Sequence, residues 1–291
     1  MKTLDELLRD FLLYKLDYVS ITVEQYKICL KQLNCLAGHV VTLQELDAEL
    51  ILSFMRHRKS LGKSPRTVNN ARHMLLSLWR HAFRKKFTKQ RPPDSTDLPK
   101  LKVMTEVPEA WSLEELNSIL HACDNARPLP YWDHRTWRAL IFVFWDTAHR
   151  LDSILSIKIQ DIHEGYLTAR KTKQNRETVH KLSESTLAAI ERLPEHESGL
   201  VFPWPYKRRQ IWREYRKILK AADLPTGRRN LFHKLRRSSA THLAVVAGVE
   251  AAEQHLDHRT PGLARSHYVD PRFMPQIKAA DVLPRLGEEI N

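Results

Sequence analysis

The sequence predicts a mainly α-helical protein in two parts, the second of which carries one small antiparallel β-sheet. Three observations predict it. Apolar residues recur at three- and four-residue spacing along most of the 291 residues, as they do in helices that bury one face. Only one region reads as strands: Gly165 to Lys171 and Arg176 to Leu182, with turn-like residues 172–175 between them. A proline-rich break without periodicity runs from Pro92 to Pro108. The expected boundaries are a first domain over 1–91, a linker over 92–107 and a second domain over 108–291. Two domains of this size can each bury a core.

The elements follow in order. Leu4, Leu7, Leu8, Phe11 and Leu12 share one helical face. Thr22 is placed to cap a helix over 23–36, and Thr42 another after it. Ser64-Pro65 introduces a helix over Val68 to Phe83, with Ala71, Met74, Leu75, Leu78 and Trp79 on one side. In the second part, Ser112 and Glu115 are spaced as a capping box. Arg138 to Trp145 is an apolar helix, and Ser183 caps another that ends near Leu193. Ser238 to Val246 holds no Pro or Gly and reads as one helix, closed by Gly248. Short helices are expected over 250–256 and 263–269.

Charge narrows the function. The net charge is +13, which suits a polyanion: nucleic acid first, an anionic membrane surface second. From Leu50 to Pro93 there is no acidic residue, and twelve are basic: Arg56, Arg58, Lys59, Lys63, Arg66, Arg72, Arg80, Arg84, Lys85, Lys86, Lys89 and Arg91. A solvated face normally mixes signs, so this one is expected to lie along DNA phosphates. Lys207 to Arg237 is the second basic stretch. Its neighbouring aromatics, Trp204, Tyr206, Trp212 and Tyr215, read as packing. No run of eighteen apolar residues could span a bilayer, and the N-terminus lacks the pattern of a signal peptide. Cys29, Cys35 and Cys123 are scattered, with neither metal-ligand nor disulfide spacing, which fits buried thiols in a reducing cytoplasm. No paired-carboxylate site for a divalent metal is apparent, and the expectation is no metal and no cofactor.

The chemistry concentrates near the C-terminus. His233 and Arg236 are three apart and point off one helical face. Arginine clamps phosphate because its planar fork donates two parallel hydrogen bonds. Leu256-Asp257-His258 follows, then His267-Tyr268-Val269. Of the eight tyrosines only Tyr268 comes after the His-x-x-Arg pair, and its hydroxyl is a possible nucleophile toward phosphorus. Upstream, Thr147-Ala148-His149-Arg150 ends the apolar helix, and Lys171-Thr172-Lys173 sits in the hairpin ahead of Arg176-Glu177-Thr178-Val179-His180.

In this order the residues resemble the tyrosine recombinases, the phage-integrase family. Their signature is an early Arg in Thr-Gly-x-Arg, a Lys in a β-hairpin, His-x-x-Arg, a His or Trp after a Leu-Gly turn, and a nucleophilic Tyr. The resemblance implies a helical core-binding domain ahead of an α-helical catalytic domain. The catalytic residues would be Arg150, Lys171, His233, Arg236, His258 and Tyr268, with Lys173 the alternative to Lys171. Tyr268 would attack the scissile phosphate and form a 3′-phosphotyrosyl link without metal or ATP. The substrate would be double-stranded DNA, bound by a tetramer on two sites in the cytoplasm, at the nucleoid of a prokaryote. The chain looks like the two-domain Xer-type or the transposon and phage enzymes. Type IB topoisomerase-like relaxation, or a DNA-binding protein without catalysis, are the alternatives. Three departures stand out: Ala148 for the family's Gly, Ser153 at the supporting acidic position (unless Asp152 serves), and Asp257 for a second Gly, where backbone strain is expected.

Overall fold

The computed structural model describes residues 2–16, 18–94, 97–125, 132–170, 177–257, 260 and 262–275. The chain forms two compact units, Met1–Thr105 and Glu106–Asn291. The first is built from α1 (Leu4–Leu13), α2 (Ser20–Ala37), α3 (Ala48–Ser60) and α4 (Pro65–Arg84). Thr3 and Glu6 form a capping box that starts α1, and Ser64 caps α4 with Pro65 in its first turn, where a missing N–H costs nothing. Helix α2 begins earlier than the sequence suggests. Its N-cap is Val19, whose carbonyl accepts from the amide of Thr22 at 2.9 Å, so Thr22 is already inside the helix. Thr42 does cap, with Glu45, but a single 3₁₀ turn; Asp47 then caps α3. Leu4, Leu7, Leu30, Phe54, Leu75 and Trp79 make the core of this unit.

Part of the expected linker belongs to that core. Leu98 is fully buried in it. Asn69 brackets Leu101, donating to its carbonyl and accepting from its amide, both at 2.9 Å. Residues 102–107 are exposed, and the division between the two units falls among them.

The second unit holds α5 (Leu113–Asn125), α6 (His134–Thr147), the single turn α7 (Leu151–Ile154), α8 (Glu184–Glu191), α9 (Arg208–Ala221), α10 (Phe232–Ala247), α11 (Val249–His255) and α12 (Leu263–His267). Strands β1 (Ile162–His163), β2 (Tyr166–Ala169) and β3 (Thr178–Lys181) form one antiparallel sheet in that order, with Tyr166 opposite Lys181 and Ala169 opposite Thr178. Stacked rings tie three helices together: Phe144 of α6 on Phe232 of α10, and Phe232 on Tyr215 of α9 at 4.5 Å. A separate cluster of small side chains, Ala148, Ala240, Ala244, Ala252 and Ala264, lets α10, α11 and α12 approach closely around Tyr268. Among the described residues no helix is long and apolar enough to cross a membrane.

Candidate active site

The site lies where α6 ends, α7 begins and α10 starts. Helix α6 is closed by Ala148 in the left-handed conformation, φ 46°, ψ 24°. That is a position where glycine is the unstrained choice, so the departure from Thr-Gly-x-Arg carries a backbone cost. The turn it makes delivers Arg150 as the N-cap of α7, with its carbonyl accepting from Ser153 and Ile154. Ser153, at the family's acidic position, is buried. Asp152 does not substitute for the missing acid: its carboxylate pairs with Arg208 of α9 at 2.7 Å. Among the described residues no carboxylate forms an ion pair with Arg150.

Arg236 is 2% exposed, and its guanidinium reaches two backbone carbonyls from the interior of α10. One terminal nitrogen donates to Ala148 and the other to Leu256 at 2.9 Å. It therefore clamps the strained turn before Arg150 to the end of α11. Its Nε is buried without a hydrogen-bond partner among the described atoms, and its guanidinium carbon lies 5.2 Å from the centre of the Tyr268 ring. Burial lowers its pKa to about 10, opposed by the neighbouring Tyr268 and reinforced by Arg150, so it stays a cation at neutral pH.

Tyr268 follows α12 and is 9% exposed. Its amide donates to Ala264 at 2.8 Å, and its carbonyl accepts from the Thr241 hydroxyl at 3.2 Å. Asp270, two residues on and fully buried, accepts from the amide of Ala110 and pairs with Arg272 at 2.6 Å. The tyrosine segment is thus pinned from behind. In front, the Tyr268 and His233 rings are 5.2 Å apart. His233 keeps an exposed edge, yet desolvation and the charges of Arg237, Arg236 and Arg150 lower its pKa to about 4, so the ring is neutral at pH 7.

A cleft of about 400 Å³ is lined by Arg150, His233 and Arg236 together with the apolar side chains of Leu151, Trp212 and Leu231; Tyr268 lies behind His233 and Arg236 and is not part of the lining. Lys171, Lys173 and His258 lie outside the described residues. Strand β3, which follows Lys171 and Lys173 in the chain, is placed beside the site through His180, whose ring is 4.5 Å from that of His149.

A histidine row was not legible in the sequence. His149, His180 and His255 stand in sequence, the second and third 5.6 Å apart. Ser239 gives its one proton to the Trp145 carbonyl at 2.6 Å, so at 2.8 Å it accepts from Nε2 of His255 and fixes that tautomer. Burial, then the neighbouring histidine and arginine charges, lowers His149 to about 3 and His255 to about 4, and pushes His180 down as well. The only trace in the sequence is His180 itself, at the end of the Arg176 to His180 run.

Asp257 occupies the tight turn expected of it, at φ 56°. The basic face of the first unit needs one correction. Arg56, Lys59, Lys63, Arg66, Arg80, Arg84, Lys85 and Lys86 are exposed. Arg58 is half-buried and bonded to Gln32. Arg72 is 5% exposed, and both its Nε and a terminal nitrogen donate to the Leu98 carbonyl. It falls on the apolar side of α4 and fastens the chain leaving the unit, so it offers no phosphate contact.

The phage integrase family model matches residues 111–274. Three solved structures are similar over most of the chain. The lambda integrase dimer bound to a COC′ core site has 18% identity and TM-score 0.71 over 95% of this chain and 79% of that one. The Tn1549 transposon integrase with circular intermediate DNA has 13% and 0.70, over 96% and 97%. The XerH recombinase bound to difH substrate has 19% and 0.65, over 84% and 76%. No curated protein matches the sequence. Fold and family model together define the class: the chain belongs to the phage integrase family, the tyrosine recombinases, enzymes that break and rejoin DNA.

Proposed function

We propose that this protein carries out site-specific recombination by transesterification at Tyr268. The observation that carries the reading is that Arg236 and His233 line one cleft with Arg150 and each lies 5.2 Å from the centre of the Tyr268 ring. The phenol oxygen attacks phosphorus, the new O–P bond forms a 3′-phosphotyrosine, and the bond to the 5′-oxygen breaks. His233, neutral at pH 7, takes the phenol proton. Arg150 and Arg236 hold the non-bridging oxygens and oppose the charge that builds in the transition state. By the resemblance, Lys171 protonates the leaving 5′-oxygen and His258 donates to the phosphate. The ester conserves the phosphodiester energy, so neither metal nor ATP is required. A 5′-hydroxyl from a second strand reverses the step and completes exchange.

Residues 1–91 serve as the core-binding domain and grip duplex DNA through the exposed Arg and Lys side chains, while 108–291 form the catalytic domain. The DNA-bound dimer of lambda integrase and its tetramer on a Holliday junction support assembly on paired sites. The test is a nicked duplex, selected from a random pool on the intact protein, that loses its leaving strand after cleavage. A covalent protein–DNA adduct on a denaturing gel supports the reading. Tight binding without an adduct points instead to a DNA-binding protein that has lost catalysis.

A further inference from the structure

Among the four aromatics of the second basic stretch, three pack as expected. Tyr215 is fully buried, Trp204 lies against Trp132 at 4.9 Å, and Tyr206 lies against Trp204 at 5.6 Å. Trp212 is the exposed one. It is 41% exposed and lines the cleft above Arg150 and Arg236. A single exposed tryptophan carries little meaning alone; its surroundings do. Arg208, Arg209, Arg213 and Arg216 flank it on α9, all within four residues, with Arg208 paired to Asp152 and Arg213 to Glu214. Arg216 also fixes the local backbone: its guanidinium donates to the carbonyls of Thr226 at 3.1 Å and Trp212 at 3.5 Å.

The cleft has two chemistries. A phosphate uses the arginines and needs nothing from the apolar wall of Leu151, Trp212 and Leu231. That wall fits something flat and apolar attached to the phosphate, and a nucleobase has that form. We propose that Trp212 stacks on a nucleobase of the cleaved strand, beside the phosphate held by Arg150 and Arg236, and positions that nucleotide for strand exchange. The inference rests on the cleavage reaction proposed above. Exchange draws the end nucleotides of a cut strand out of their duplex stack, and an indole face replaces part of what they lose. Stacking of this kind accepts any base, since every base has a π face, and flanking cations hold the backbone in place.

The test uses the full chain and its selected duplex, nicked, with 2-aminopurine placed on either side of the position of the covalent join. With the unmutated protein, fluorescence should be quenched at one of the two positions. Trp212→Phe should keep much of the quenching, and Trp212→Ala should lose it. Strand exchange by Trp212→Ala should fall by about tenfold. A helix-packing role would leave the 2-aminopurine signal unmoved. No quenching at either position, equal quenching in Trp212→Ala, or unchanged exchange would each overturn the inference while the adduct still supports the recombinase reading. Absence of any adduct from the unmutated protein would overturn that reading first, and this inference with it.

Discussion

The rings of Tyr268 and His233 lie 5.2 Å apart, centre to centre, although they come from the segment after α12 and the first turn of α10. Two contacts behind them set that spacing. Thr241 holds the Tyr268 carbonyl from α10 itself, and Arg237 reaches the carbonyl of His267 at 3.3 Å. The helix that carries His233 therefore also carries the hooks for the tyrosine, so one element positions both the proposed proton acceptor and the proposed nucleophile.

DNA affinity should fall steeply with salt. If about six phosphates are neutralised, the log–log slope should be about −5. Removing exposed Arg80 by Arg80→Ala should shallow the slope by about 1. Arg72→Ala should leave the slope alone and lower stability by about 2 kcal/mol, because it strips the buried Leu98 carbonyl of its donor. A slope near zero for the unmutated protein would remove the phosphate-grip account.

Acid should destabilise the second unit. His149, lowered to about 3, and His255, lowered to about 4, are neutral when folded and ordinary when unfolded. Below pH 6.5 the unfolded chain binds protons that the folded one refuses, so stability is fully present above that value and lost as pH falls toward the folded pKa. For buried His149 alone the loss is about 2 kcal/mol by pH 5. Thermal melts between pH 7.5 and 5 should show it, and His149→Gln should flatten the dependence. A Tm that does not change over this range would contradict the buried, neutral row.

Glycine at the two left-handed positions should not act alike. Asp257 has φ 56° at a partly exposed turn, so Asp257→Gly should stabilise by up to about 1 kcal/mol. Ala148 has φ 46° but is fully buried in the small-residue cluster. There the relieved strain and the lost methyl contact, each about 1 kcal/mol, nearly cancel, and Ala148→Gly should be close to neutral. Denaturant midpoints measure both.

The helical plan and the pairing of β2 with β3 were legible because each rests on local spacing, whereas the two-residue strand β1, Ile162–His163, was too short to leave a pattern. Arg72 was misjudged for a physical reason: charge counted along the chain does not say which helical face a residue occupies, and Arg72 falls on the side with Ala71 and Leu75. The first half of the linker read as irregular, which it is, yet Leu98 and Leu101 pack back onto α4 through contacts no local pattern encodes. The histidine row joins the turn after α6, strand β3 and helix α11, three places far apart in sequence, and so left almost no trace in it.

The lysine can be assigned by chemistry. Lys171→Ala should slow cleavage of an ordinary 5′-oxygen leaving group and be largely rescued by a 5′-bridging phosphorothiolate, whose sulfur leaves with little need of a proton. If Lys173→Ala behaves this way and Lys171→Ala does not, the hairpin register proposed for the lysine is shifted by two residues.

The most direct measurement compares the unmutated protein with Tyr268→Phe on the nicked duplex, with the adduct resolved on a denaturing gel and its peptide identified by mass spectrometry. Phenylalanine keeps the ring beside His233 and Arg236 and removes only the attacking oxygen. The account predicts a covalent adduct at Tyr268 in the unmutated protein, and in Tyr268→Phe a folded protein with near-normal DNA affinity and no adduct. An adduct that persists in Tyr268→Phe, or maps to another tyrosine, would contradict it.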